Sequence, residues 1–443
     1  MRSFVKQAGR TLITGVVLLL VPAVMAVECR VEMDNPVVLA VGRQKAVVRV
    51  TLDAPKAPQP GRRPPVNLTI VMDRSGSMSG QKLEKAREAA IAALRRLGPE
   101  DIFSMVTYDD QVTTVIPAQS AANTEWIEAR IRSIGSGGNT ALFAGVSQGA
   151  SEIRKHLDGR YVNRILLLSD GLANVGPSTP VELGRLATAF RKEGIAVTTI
   201  GVGTDYNEDL MTQMAQNSDG NTYFVESSVD LPRIFSSELG DVLSVVASKV
   251  TIEVEFPEGV RPLRIIGRDG RIGEQHVEIG LNQLYGGQQK YALIEVELPE
   301  GMEGEVRQVA NAQCRYEDMI SNRPAVSTGQ ATVRFSGDRQ DVYSNINVDV
   351  NRGIMMNSFA DAQAQAIIYA DNNEFDQAAE VLRSNGRQMQ DFAEANVLPD
   401  LELQAEELLL KARQIEERQE LDSVERKQMK TENYQIYNQQ RER

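Results

Sequence analysis

The chain has 443 residues, 42% of them apolar and 24% charged, the balance of an ordinary globular protein of two or three domains. Its 60 acidic residues outnumber 48 basic ones, for a net charge of −12. With no basic stripe interleaved with aromatics, such a chain repels phosphate backbones, which excludes nucleic acid as a partner.

Residues 1–26 read as a signal peptide. Arg2, Lys6 and Arg10 precede an apolar run from Leu12 to Val21, and the small residues at Val24 and Ala26 suit a signal-peptidase cut. The run falls short of the ~20 residues that a spanning helix needs. The mature chain is therefore expected to begin at Val27 and to carry no transmembrane segment. Cys29 stands slightly too far along for a lipoprotein anchor. Asn67-Leu68-Thr69 is a glycosylation sequon inside what reads as a central strand, where no glycan fits. Together with the scarcity of cysteine, this favours a periplasmic or secreted protein of a bacterial envelope.

Residues 27–62 read as the first part of an antiparallel β-sandwich. Cys29, Val31 and Met33 alternate with Arg30 and Glu32, and Ala46, Val48, Val50 and Leu52 alternate with Val47, Arg49, Thr51 and Asp53. A period of two marks strands with one buried face and one solvent face. The Pro-rich residues 54–65 read as a hinge.

Between 66 and 246 the pattern changes. Strand-like apolar runs at 66–72, 102–108, 164–169, 196–201 and 222–225 alternate with helical patterns at 82–97, 125–134, 142–156, 181–193, 209–217 and 229–246. Leu83, Ala86, Ala90, Leu94 and Leu97 illustrate the helical spacing. This alternation predicts an α/β fold, a doubly wound and mainly parallel sheet with helices on both faces. The Asp109-Asp110 turn leads into 112–116, adding one antiparallel edge hairpin.

Period-two alternation returns over 247–340, with Ile252, Val254 and Phe256, Ile294, Val296 and Leu298, and Val333 and Phe335 facing inward. Neither flank holds enough strands to close a sandwich alone, so both are expected to form one sandwich with the α/β domain inserted. Cys29 and Cys314 would join the flanks by a disulfide in an oxidising compartment, two free thiols being the alternative. Residues 354–443 form a helical C-terminal region, with patterns at 359–369, 375–383, 387–395 and 399–418. Ala370 to Ala379 looks like half of a tetratricopeptide hairpin but occurs once, so a helical hairpin appended to the sandwich is the simpler reading. The polar tail after Glu420 reads as frayed helix or disorder.

One constellation carries chemistry. Met72-Asp73-Arg74-Ser75-Gly76-Ser77-Met78 follows the first strand of the α/β unit, at the carboxyl edge where open parallel sheets bind ligands. Asp73, Ser75 and Ser77 alternate, so a tight loop turns one carboxylate and two hydroxyls to one side. Gly135-Ser136-Gly137-Gly138-Asn139-Thr140 offers a third hydroxyl, and Leu168-Ser169-Asp170-Gly171 a second carboxylate. Oxygen-only donors select a divalent cation such as Mg²⁺, Ca²⁺ or Mn²⁺ over zinc or copper. Two carboxylates balance its charge, and Mg²⁺ suits a small octahedral set that retains water. An acidic side chain of a partner could take the place of that water.

The set Asp73-x-Ser75-x-Ser77, Thr140 and Asp170, in that order and each at a strand-end loop, resembles the metal-ion-dependent adhesion site (MIDAS) of von Willebrand factor A (VWA) domains. The likeness covers 66–246 and includes Gly201-Val202-Gly203. Ser169-Asp170-Gly171-Leu172-Ala173-Asn174-Val175-Gly176 is similar to the bacterial branch, to inter-α-trypsin-inhibitor heavy chains and to calcium-activated chloride-channel regulators. The resemblance implies metal contacts from Asp73, Ser75, Ser77 and Thr140, with Asp170 acting directly or through water. It also implies an adhesion-type module that captures an Asp or Glu of a partner protein. The alternative is an envelope scaffold whose metal only stiffens loops while the C-terminal helices bind partners.

Catalysis is not expected. His156 and His276 show neither His-Glu-x-x-His spacing nor a nearby Gly-x-Ser-x-Gly elbow. Ser79-Gly80-Gln81-Lys82 fits the Ser-x-x-Lys of penicillin-recognising enzymes, but without a Lys-Thr-Gly partner it reads as chance. Asp205, Glu208 and Asp209 read as helix caps rather than as a rim of the metal site.

Overall fold

The computed structural model describes residues 26–56, 63–281 and 283–440. Apart from Ala26, the signal segment 1–26 lies outside the described residues, as do residues 57–62 of the hinge.

Strands β1 (Glu28–Met33), β2 (Val37–Leu39) and β3 (Gln44–Asp53) come first. The α/β unit follows as β4 (Val66–Asp73), α1 (Gln81–Leu94), β5 (Ile102–Tyr108), β6 (Val112–Ser120), α2 (Thr124–Arg132), α3 (Leu142–Arg154), β7 (Val162–Ser169), α4 (Pro180–Lys192), β8 (Ile195–Val202), α5 (Glu208–Ser218), β9 (Thr222–Val225) and α6 (Leu231–Val242). Then come β10 (Val245–Glu255), β11 (Arg261–Ile266), β12 (Arg271–Ile272), β13 (His276–Leu281), β14 (Leu284–Tyr285), β15 (Gln289–Leu298), β16 (Val306–Asp318) and β17 (Arg323–Ser336). The chain ends in α7 (Arg339–Ser344), α8 (Val348–Asp371), α9 (Phe375–Asn396), α10 (Pro399–Arg418) and α11 (Ser423–Asn438).

The α/β sheet has the order β6-β5-β4-β7-β8-β9, parallel except for the β5–β6 hairpin. Both faces are covered, which is why its strands read as unbroken apolar runs. Leu68, Ile70, Met72, Leu166 and Leu168 pack under α1, α2 and α6, whereas Val71, Ile165 and Leu167 pack under α3, α4 and α5. The helix expected over 229–246 ends at Val242, and Val245 already belongs to β10. Valine at 245, 246 and 250 suits either element by hydrophobicity, and pairing of β10 with β13 and β16 decides for strand.

The sandwich has one layer in the order β1-β3-β15-β11 and a second in the order β12-β13-β10-β16-β17-β2, with β14 beside β10. Each layer draws strands from both sides of the α/β unit, which is inserted between β3 and β10. Val48, Val50, Leu52, Ile252, Val254, Ile294 and Val296 meet between the layers. Cys29 of β1 and Cys314 of β16, both buried thiols, place their sulfur atoms 3.0 Å apart across that core.

The face of β3 expected to meet solvent is buried instead. Thr51 is fully buried, and Val47 and Arg49 lie beneath α8, where Val47, Ile266, Leu293 and Val350 form a second small core. Arg49 donates to the Asp349 carbonyl (2.8 Å) and to Glu32 (3.0 Å). Each apolar side chain buried there contributes about 1.5–3 kcal/mol. Helix α8 begins before the pattern expected at 359, and the two patterns at 375–383 and 387–395 are one helix, α9.

The tail after Glu420 is likewise ordered, as α11. Asp422 caps it by accepting from Val424 N and Glu425 N. Arg426, Lys427 and Lys430 pair with Glu208 and Asp209 of α5, the last two at 2.6 and 2.5 Å. The Gln440 amide donates to the Thr222 carbonyl and accepts from Thr222 N, both at 3.2 Å, so a side chain satisfies the edge of β9. This corrects the reading of the acidic trio: Asn207 caps α5, Glu208 and Asp209 anchor α11, and Asp205 is exposed. Among the described residues no helix is long and apolar enough to cross a membrane.

Candidate metal centre

Three loops meet at the carboxyl edge of the α/β sheet. Strand β4 delivers Asp73, after which Gly76–Met78 form one 3₁₀ turn anchored by the buried Met78. This loop is tied to the 135–140 loop by two backbone bonds, Gly76 N to Gly138 O (3.0 Å) and Gly137 N to Arg74 O (2.7 Å). The close fit requires glycine, since a Cβ on Gly138 would lie 2.1 Å from an Asp110 carboxylate oxygen. Asp109 and Asp110 do make the hairpin turn, and they also brace the loops: Asp109 pairs with Arg74 (2.8 Å) and Asp110 accepts from Asn139 (2.5 Å). The third loop is joined through Asn174, whose Oδ1 accepts from Thr140 N at 2.9 Å.

The structure brings the predicted residues together. Asp73 Oδ1 accepts from Ser75 N (2.8 Å) and its Oδ2 from Ser169 Oγ (2.9 Å). The Ser75 and Ser77 hydroxyls are 3.1 Å apart, and Ser77 Oγ donates to Asp170 Oδ1 at 2.7 Å. A methyl group on Gly171 would sit 3.6 Å from both Ser77 Oγ and Thr140 Oγ1, so Thr140 adjoins the same small space. Asp73 and Asp170 are fully buried. Burial, reinforced by the nearby Asp170 charge, lifts Asp73 to about 6 despite the bonds from Ser75 and Ser169.

Two buried carboxylates facing three hydroxyls form a hard, oxygen-only donor set with an excess of negative charge, and they fit a divalent cation.

Reading from sequence missed two members of this cluster. Ser169, next to Asp170, orients Asp73. Lys82, met only in the Ser-x-x-Lys coincidence, places its ammonium 2.5 Å from Asp170 Oδ2. Lys82 offsets part of the negative charge that would attract a cation. Lys82→Gln is therefore expected to tighten Mg²⁺ binding about three- to tenfold, read by calorimetric titration. Unchanged or weaker binding would show that Lys82 serves only to orient Asp170.

His156 lies beyond α3 at the opposite edge of the sheet, where its carbonyl accepts from Asn67, and His276 lies in β13 of the sandwich. A concavity of about 520 Å³ adjoins the site, bounded by Ser77, Lys82, Glu226, Ser228 and Asp230.

Fold and site together define a domain of the open α/β class, its carboxyl edge lined by hydroxyls and carboxylates and its base set in a β-sandwich. Residues 67–237 match the von Willebrand factor type A domain family, and this part of the chain has the α/β fold of that domain. Among curated relatives, YfbK of Escherichia coli K12 is 30% identical over 211 residues, covering 47% of this chain and 37% of YfbK. The sll0103 protein of Synechocystis is 28% identical over 281 residues, covering 61% of this chain and 66% of its own length. Human inter-alpha-trypsin inhibitor heavy chain H3 is 28% identical over 206 residues, covering 44% of this chain and 22% of that protein. The chain thus spans between a fifth and two thirds of these relatives, none of which is named as an enzyme.

Two solved structures share the fold well beyond the VWA domain. The von Willebrand factor type A protein from Catenulispora acidiphila has a TM-score of 0.66 at 17% identity, covering 85% of this chain and 89% of its own. The ArnB paralog VWA2 from Sulfolobus acidocaldarius has a TM-score of 0.58 at 15% identity, covering 93% and 98%. VWA domains are generally protein-interaction modules.

Proposed function

We propose that this protein is an exported, metal-dependent binding module that captures an acidic side chain of a partner protein. Asp73, Ser75, Ser77, Thr140 and Asp170 hold one divalent cation, Mg²⁺ ahead of Ca²⁺ and Mn²⁺. The observation that carries this reading is the convergence of two fully buried carboxylates on three hydroxyls at the ligand edge of the sheet. The bound cation supplies the positive charge that draws a partner's Asp or Glu. Ser169 and the Ser75 amide orient Asp73, Ser77 and Lys82 orient Asp170, and the Asp109–Arg74 pair fixes the loop between them. The adjoining concavity seats the surrounding partner surface, which a single ion-mediated contact needs for support.

The capture experiment uses immobilised full-length protein and an envelope extract, with Mg²⁺ or EDTA. A partner retained in Mg²⁺, released by EDTA and absent with Asp73→Ala supports the reading. Capture that survives both treatments assigns binding to the C-terminal helices, with the metal reduced to stiffening loops.

Export to an oxidising compartment also implies a Cys29–Cys314 disulfide, and the facing thiols support it. Peptide mapping without reductant is expected to recover the linked pair, and reduction to cost about 2–4 kcal/mol of stability in denaturant melts. Alkylation of both thiols without reductant would contradict the bridge.

A further inference from the structure

We propose that a second site, at the junction of the VWA domain, the sandwich and α11, binds a small acid that also carries an amide, such as an N-acyl amino acid or a free peptide C-terminus. The site is a cavity of about 360 Å³ lined by Arg268 of the β11–β12 turn, Asn433, Tyr434 and Tyr437 of α11, Ile368 of α8 and Asp219 after α5. Ligand pockets commonly span roughly 300–1,000 Å³. The cavity lies apart from the metal centre, and the proposal does not depend on it.

The charges around the cavity leave one cation without an anion. Arg191 pairs with Asp219 (2.9 Å) and Lys430 with Asp209 (2.5 Å), while Asp269 is exposed. Among the described residues Arg268 forms no ion pair, Asp219 acting on it only at longer range; its guanidinium donates to the neutral Gln439 amide and its buried Nε has no acceptor. Burial pulls Arg268 down to about 10. It pulls the buried Lys290 down to about 7, with the Arg268 charge adding to the effect. Desolvated positive charge of this kind is relieved by an anion.

Asn433 supplies the second requirement. It is 5% exposed, lines the cavity, and has neither its amide donor nor its carbonyl acceptor partnered. A donor and an acceptor side by side are matched by another amide, whereas a bare carboxylate or phosphate answers only the donor. Tyr434, Tyr437 and the half-exposed Ile368 offer apolar wall for a side chain.

The test is calorimetric titration of full-length protein with N-acetyl-leucine and with Gly-Gly-Leu, against N-acetyl-leucinamide, leucine and inorganic phosphate. The two amide-bearing acids are expected to saturate the protein and the other three to bind at least about tenfold more weakly. The tighter of the two acids identifies the source. Arg268→Gln and Asn433→Leu, each shown to be folded by circular dichroism, are expected to weaken binding at least about tenfold. Absence of saturation by both acids up to about 10 mM, equal binding by phosphate, or undiminished binding by both variants would overturn the proposal.

Discussion

Asp73→Asn is expected to make the cation-free protein more stable at neutral pH while abolishing its stabilisation by Mg²⁺. The Asp73 carboxyl is fully buried and is raised to about 6 by that burial and by Asp170. A carboxyl raised in the folded state favours the protonated fold. Its contribution is fully present below the unfolded value near 4 and is lost as the pH climbs through about 6, a difference of roughly 3 kcal/mol. The asparagine variant escapes this loss but cannot supply the anion that a cation needs. In the wild type, Mg²⁺ at 100 times its dissociation constant adds about 2.7 kcal/mol, or roughly 5–10 °C in Tm for a domain of this size. The Mg²⁺ effect should weaken about tenfold in affinity per unit below pH 6, as protons compete for Asp73. Thermal melts of both proteins at pH 5 and 7.5, with Mg²⁺ or EDTA, check each part. An Asp73→Asn protein that still gains several degrees from Mg²⁺ would remove Asp73 from the site.

Arg164→Met is expected to destabilise the protein by about 3–5 kcal/mol, because it leaves the buried Glu238 without its cation. Arg164, in β7, is fully buried and lies 3.4 Å from Glu238 of α6. It also donates to Thr198 Oγ1 (2.9 Å), to Gln283 Oε1 (2.7 Å) and to the Tyr285 hydroxyl (3.3 Å). The last two belong to the sandwich, so this one guanidinium joins the inserted domain to its base. Burial works against the charged form, yet Tyr285 and Glu238 outweigh it and hold Arg164 above its ordinary value. The double variant Arg164→Met/Glu238→Gln should recover part of the loss, since no unpaired charge then remains. Denaturant melts of the four proteins measure the coupling, and additive single-variant losses would mean that the pair contributes nothing as a pair.

The parts of the fold that were legible in the sequence are those where one period rules. β5 and β9 match their predicted runs residue for residue, and α10 ends where its pattern ends, because both faces of the sheet and one stripe of the helix are buried. The parts that were not legible depend on surfaces meeting at long range. Val47 and Arg49 alternate with the sandwich core and look solvent-facing until α8, some 300 residues later, covers them. The polar α11 reads as disorder because much of its anchoring comes from the charges of Glu208 and Asp209 and the edge of β9, while its few apolar contacts, such as Met429 in the helical core, make no continuous stripe. The convergence of the oxygen side chains was legible because they are spaced within three short loops at strand ends. Lys82 was not, since a lysine at the start of an amphipathic helix looks like any solvated residue until the fold sets it against Asp170.

In the proposed site, the five oxygen residues hold one divalent cation with a position open to a carboxylate. Mn²⁺ titration followed by electron paramagnetic resonance tests it most directly, with an acidic peptide added once the site is filled. One Mn²⁺ bound per wild-type chain, absent from Asp73→Asn, with metal-bound water lost when the peptide is added, is the predicted result. Stoichiometric Mn²⁺ binding that persists in Asp73→Asn, or a hydration shell untouched by the peptide, would contradict it.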